Sequence, residues 1–164
     1  MFSTKFRKFF KSALCLSFCY VLSCTILSAI AAETAQLQPF SSDGCSLFPD
    51  RSPTGEADWC ECCVQHDLAY WRGGTEAERL QADRELYSCV KKKTANEQLA
   101  QLMFSGVRSA GGPYHYTSYR WAYGWPYGRF YQALSPAERE QVERLSAQIS
   151  TDQLQQVCRK PTSK

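Results

Sequence analysis

The chain has 164 residues and a formal charge of +3, yet the four charged residues among its first 31 are all basic, which leaves −1 on residues 32–164. The bulk of the sequence therefore lacks the basic footprint that points to a nucleic-acid partner. Residues 32–164 suit one modest domain, with no internal repeat, long linker or second composition regime.

Residues 1–31 read as a signal peptide. Lys5, Arg7, Lys8 and Lys11 make a basic start, 13–27 is mostly apolar, and Ala29-Ile30-Ala31 fits a small-residue cleavage site. The rivals are an uncleaved anchor, since 12–32 approaches the length of a membrane span, and a lipoprotein signal at Val21-Leu22-Ser23-Cys24. Too much apolar sequence follows Cys24 for a natural mature terminus. The expected location is secreted or periplasmic, an oxidising setting. Removing 1–31 takes away Cys15, Cys19 and Cys24 and leaves Cys45, Cys60, Cys62, Cys63, Cys89 and Cys158. Six cysteines read as three disulfides, with fifteen full connectivities open.

The coarse organisation is mainly α. Gly44, Pro49, Pro53 and Gly55 break 39–55 into an irregular loop. A helix is expected over about 57–71, stopped by Gly73-Gly74. Thr75-x-x-Glu78 is a capping box for a second helix reaching about residue 93, along which Leu80, Asp83, Leu86, Tyr87 and Val90 recur at helical spacing. A third stretch covers 96–107. Ser135-Pro136-Ala137-Glu138 caps a last helix, with proline where its missing N–H does no harm.

The first of these helices carries Cys62-Cys63-Val64-Gln65-His66-Asp67. Positions i and i+4 share a helical face, so Cys62, His66 and Tyr70 line one edge while Cys63 and Asp67 lie on the adjoining stripe. In an antiparallel hairpin, facing residues have nearly constant index sums. Pairing Cys62 with Cys89, and His66 with Asp83, puts the turn near residue 75 in both cases, where Gly73-Gly74-Thr75 already signals one.

With that constellation the chain resembles the secreted phospholipase A2 family. The family places Cys-Cys-x-x-His-Asp on one of two disulfide-linked antiparallel helices, and a later aspartate on the other supports the histidine. Here Tyr70 matches the tyrosine four residues after the histidine, Asp83 the supporting aspartate, and Cys89 the cysteine six residues beyond it. The match covers about 44–90, and the carboxy-terminal half carries no family motif. The resemblance implies calcium-dependent hydrolysis of the sn-2 ester of glycerophospholipids at a membrane or micelle interface, by a monomer. It also implies Cys62–Cys89 and Cys45–Cys63 bridges, which leave Cys60 and Cys158 to each other.

The family's calcium loop has several glycines after its cysteine, whereas Asp43-Gly44-Cys45-Ser46-Leu47-Phe48-Pro49-Asp50 has one, before it. The resemblance implies Ca2+ ligands from the carbonyls of Gly44, Ser46 and Phe48 and from the Asp67 carboxylate. Asp43 and Asp50 are further carboxylates that calcium's oxygen-rich coordination would accept. His66 suits a general base, because its unperturbed pKa lies close to working pH. Asp83 would fix its tautomer, Tyr70 would hold Asp83, and a cation would stabilise the oxyanion.

Each assignment has a plainer rival. Asp83 is within helical reach of Arg79 and Arg84 on what would be a solvated face, and Tyr70 would simply pack. Cys60, Cys62, Cys63 and His66 are the residue types of a zinc site. His115 lacks such partners and reads as a loop residue. The aromatic stretch 113–131, with Arg120 and Arg129, is either core filling or an interfacial platform. A catalytically weak lipid- or protein-binding module on the same scaffold is the second functional class.

Overall fold

The computed structural model describes residues 35–159, so the signal-peptide reading of 1–31 lies outside the described residues. Five helices occur among these residues: α1 Cys60–Arg72, α2 Glu76–Thr94, α3 Glu97–Ala110, α4 Pro136–Ser146 and α5 Thr151–Arg159. No strand is formed among them, only an isolated antiparallel bridge between Arg51 and Asp58. None of the helices is long and apolar enough to cross a membrane.

α1 begins three residues later than expected from the sequence, because 50–59 closes on itself first. Trp59 donates its backbone N–H to Asp50 at 3.0 Å, and Ser52 donates to Ala57 at 2.8 Å. Asp58 Oδ1 then accepts from the Cys60 N–H at 2.9 Å, satisfying one of the orphan donors of the first turn. The helix stops at Gly73, whose φ of +68° favours glycine, and a Cβ there would stand 2.5 Å from that of Ala122. Thr75 and Glu78 cap α2 reciprocally, as do Ser135 and Glu138 for α4. Asn96 caps α3 by accepting from the Leu99 N–H.

The expectation of one last helix from 135 needs correcting. α4 ends at Ser146, and α5 starts again with its own reciprocal cap. Ser150 N–H donates to Gln153 Oε1 at 2.8 Å, and Gln153 N–H donates to Ser150 Oγ at 3.1 Å.

The three disulfides join Cys45 to Cys63, Cys60 to Cys158 and Cys62 to Cys89, with Cα separations of 5.0, 5.6 and 5.7 Å. They tie the 43–50 loop, α5 and α2 to α1. α2 packs against α1 on one side and α3 on the other, and α5 packs on α1. Two apolar clusters result. One gathers Leu37, Trp71, Trp121, Trp125 and Val142, and the other Trp59, Leu86, Val90, Ala100 and Met103 around Cys45, Cys62 and Cys63.

The aromatic stretch 113–131 is part core and part exposed. Trp121 and Trp125 are core. Their indole N–H groups donate to the carbonyls of Gly74 at 2.9 Å and Arg72 at 2.7 Å, and Ala122 N–H donates to Tyr70 at 2.8 Å. These bonds cap carbonyls at and beyond the C-terminal end of α1, so the segment fixes the helix that carries His66. Tyr114, Tyr116, Tyr127 and Phe130 stay exposed and contact one another ring to ring.

Candidate active site

α1 and α2 bring His66 and Asp83 together at the expected register. His66 Nε2 lies 2.8 Å from Asp83 Oδ1, and Tyr70, one turn after His66, donates its hydroxyl to the same oxygen at 2.7 Å. Asp83 is fully buried, and His66 is 8 % exposed. The rings of His66 and Tyr70 pack at a tilt, 4.1 Å between centroids, and Trp121 meets Tyr70 edge to face at 5.1 Å. Gly111 leaves room for this arrangement, since a Cβ there would sit 2.8 Å from the Tyr70 ring.

Two arginines that sequence reasoning did not assign to the site complete it. Arg108, near the end of α3, donates through Nη1 to Asp83 Oδ2 at 2.7 Å. Arg79 Nε lies 3.8 Å from the same oxygen and donates to the Tyr70 hydroxyl at 3.0 Å. The Arg79 pairing was legible from its spacing four residues before Asp83, but the face is buried, not solvated. Arg84 stays exposed. Arg108 had a signal as well: positions 83 and 108 each lie twelve residues from the 95–96 turn between α2 and α3.

Burial alone would raise the Asp83 carboxyl, but hydrogen bonds from His66, Arg108 and Tyr70 outweigh it and hold the group below the usual carboxylate range. The Tyr70 phenol is driven the other way, by burial first and then by the adjacent Asp83 charge. Tyr70 is therefore a neutral donor and Asp83 an acceptor. An ionised carboxylate facing Nε2 requires that nitrogen to carry the proton, which leaves Nδ1 as the basic atom of a neutral His66.

A largely apolar cavity opens beside the histidine. His66, Asp67 and Tyr70 line it from α1, Gly44, Ser46 and Phe48 from the loop, and Leu102, Met103, Gly106 and Val107 from α3. Gly44, Ser46, Phe48 and Asp67, the residues expected to bind calcium, thus share one cavity with His66. Ser42, which the sequence did not single out, donates to Asp67 Oδ2 at 2.6 Å. Asp43 and Asp50 are not among the residues lining the cavity. Asp50 is buried instead, and its Oδ1 accepts from the Cys45 N–H at 2.7 Å. Asp43 accepts from the Ser46 hydroxyl. Asp50 therefore shapes the turn, and a Cβ at Gly44 would meet its Oδ1 at 2.5 Å.

Among the described residues, no three His, Cys, Asp or Glu side chains are placed to hold a metal together. The zinc grouping is not formed, because Cys60, Cys62 and Cys63 spend their sulfurs on disulfides. A cation here would depend on backbone oxygens plus the Asp67 carboxylate. That all-oxygen set suits hard calcium better than a thiophilic metal. His115 lies exposed in the 113–131 segment.

No family model, curated protein or solved structure matches this chain.

Proposed function

We propose that the chain is a calcium-dependent hydrolase of the secreted phospholipase A2 type, cleaving the sn-2 ester of glycerophospholipids. The observation that carries this reading is the buried His66–Asp83 pair, 2.8 Å apart, beside an apolar cavity that Asp67 and the 43–50 loop also line. His66 Nδ1 takes a proton from water as it attacks the ester carbonyl, and the imidazolium that forms is stabilised by Asp83. The proton then passes to the leaving glycerol oxygen, so no covalent enzyme intermediate is needed. Tyr70 keeps the carboxylate aligned. Gly44, Ser46, Phe48 and Asp67 would hold the calcium ion, which when bound supplies a positive centre for the developing oxyanion. The apolar wall of α3 accepts an acyl chain, with open space over Gly106. The phospholipase A2 fold itself belongs to the same proposal, supported by the helix register and the pairings of Cys62 and Cys63.

Purified, oxidised protein should release fatty acid from the sn-2 position of phospholipid micelles in the presence of calcium and stop when the ion is chelated. Release indifferent to both chelation and loss of His66 would overturn the proposal. A second reading, a lipid-binding module without turnover, is favoured by the 43–50 loop. Leu47 holds a φ of +58° there, where glycine is easier to accommodate, and Ser42 already engages Asp67. Vesicle binding without fatty-acid release would select it.

A further inference from the structure

We propose that Arg108 is a positioning residue for the His66–Asp83 pair, acting from a third helix; this rests on the hydrolase reading above. A fully buried carboxylate needs a counter-charge and a partner for each oxygen. Asp83 Oδ1 is occupied by His66 and Tyr70, and Arg79, whose Nε stands 3.8 Å from Oδ2, spends that N–H on the Tyr70 hydroxyl, so it offers Asp83 charge without a hydrogen bond. Arg108 supplies the nearer charge and the hydrogen bond at Oδ2, 2.7 Å away, and restricts rotation of the carboxylate, so that Oδ1 stays on Nε2.

The clamp is reciprocal. Arg79 of α2 donates through Nη2 to the carbonyls of Val107 at 2.7 Å and Arg108 at 3.0 Å, while the Arg108 side chain returns to Asp83 of α2. Each helix thus grips the other at one level. Arg79 Nη1 is anchored by the Tyr131 hydroxyl at 2.7 Å. Because α3 also walls the cavity, the surface that meets substrate and the cation that orients the base are parts of one element.

The test compares Arg108→Ala and Arg108→Lys with the parent for kcat, KM, and the ring Nε2–H proton resonance of His66, assigned with His115→Ala. Removing a partner of this kind lowers activity by about 10- to 100-fold. The loss should fall on kcat with KM little changed, the ring resonance of Arg108→Ala should move or exchange away, and lysine should restore much of both. An unmoved resonance with kcat intact would overturn the inference, and so would a lower unfolding midpoint alone. If Arg108→Ala does not fold, Arg108→Gln, which fills the space without the charge, carries the test: a shifted resonance and reduced kcat at unchanged KM support it, and parent values for both overturn it. Should the parent release no fatty acid, the hydrolase reading fails, while the resonance still reports whether Arg108 holds the pair.

Discussion

At Asp83 two kinds of donor meet, and the division between them sets the chemistry of His66. One oxygen takes the imidazole and the phenol, and the other takes a guanidinium, so the carboxylate stays ionised while shielded from water. His66→Ala removes the group this network serves. Hydrolysis should fall by roughly 10²–10⁴-fold, the scale for losing a positioned general base, with calcium binding retained in a direct titration. Parent-like turnover would remove His66 from the mechanism. Asp67 makes a separable prediction, because it sits on the adjoining stripe of α1 and its neighbour is Ser42. Asp67→Asn keeps a similar shape but loses the one side-chain charge assigned to calcium. Fatty-acid release should then demand far more calcium or vanish, and an unchanged calcium dependence would exclude Asp67 as a ligand. The facing of His66 and Asp83 was legible from helical spacing and one hairpin register, while Tyr70 and Asp67 were picked out by the family resemblance. Ser42 could not, since it reaches Asp67 from an irregular segment that no periodicity describes.

The helices were legible where their ends are chemically punctuated, and less so where tertiary contacts decide. Thr75 with Glu78 and Ser135 with Glu138 cap as their spacing requires, whereas the start of α1 is postponed by a turn that depends on Trp59 reaching Asp50. The break before α5 was not legible although Ser150-x-x-Gln153 carries the same cap signature, because Ala147-Gln148-Ile149-Ser150 contains no glycine or proline. The 113–131 segment has no period at all; its conformation comes from indoles meeting the carbonyls at the end of α1. Another anchor of that segment is testable by pH. Arg129 stacks over Trp125 at 4.5 Å and pairs with Glu138, in the first turn of α4. Hydrogen bonds from Arg129, partly opposed by burial and aided by the Ser135 cap, pull the Glu138 carboxyl from 4.5 to about 2. A carboxyl depressed on folding contributes stability that is complete above its unfolded value and disappears as pH falls through its folded value. Glu138→Gln keeps the capping oxygen and loses the charge. Its unfolding midpoint should lie below the parent's at pH 6, and the gap should close between pH 4.5 and about 2. A gap independent of pH would show that the charge is not what holds the loop.

At the scale of the whole molecule, the three disulfides divide the labour between holding the chain and holding the site. Cys60–Cys158 spans 98 residues and secures α5, a helix with no buried residue of its own, assisted by a hydrogen bond from Arg51 to the Cys158 carbonyl. Cys62–Cys89 spans 27 and joins α1 to α2 one turn before His66. If disulfides act mainly by restricting the unfolded chain, the longer closure contributes more, typically about 2–4 kcal/mol in all, with a loop-length advantage of about 1 kcal/mol here. The proposed hydrolysis would respond to a different quantity, the relative placement of α1 and α2. The two effects should therefore rank in opposite order. The double variant Cys60→Ala, Cys158→Ala should lose more stability in guanidinium unfolding and become cleavable by protease within α5, yet keep its hydrolysis rate. Cys62→Ala with Cys89→Ala should lose less stability but more kcat, because the His66–Asp83 distance is no longer enforced across the hairpin. The same ranking in both measurements would mean that α5 and the active-site helices behave as one mechanical unit, and that the site depends on the whole fold rather than on its own bridge.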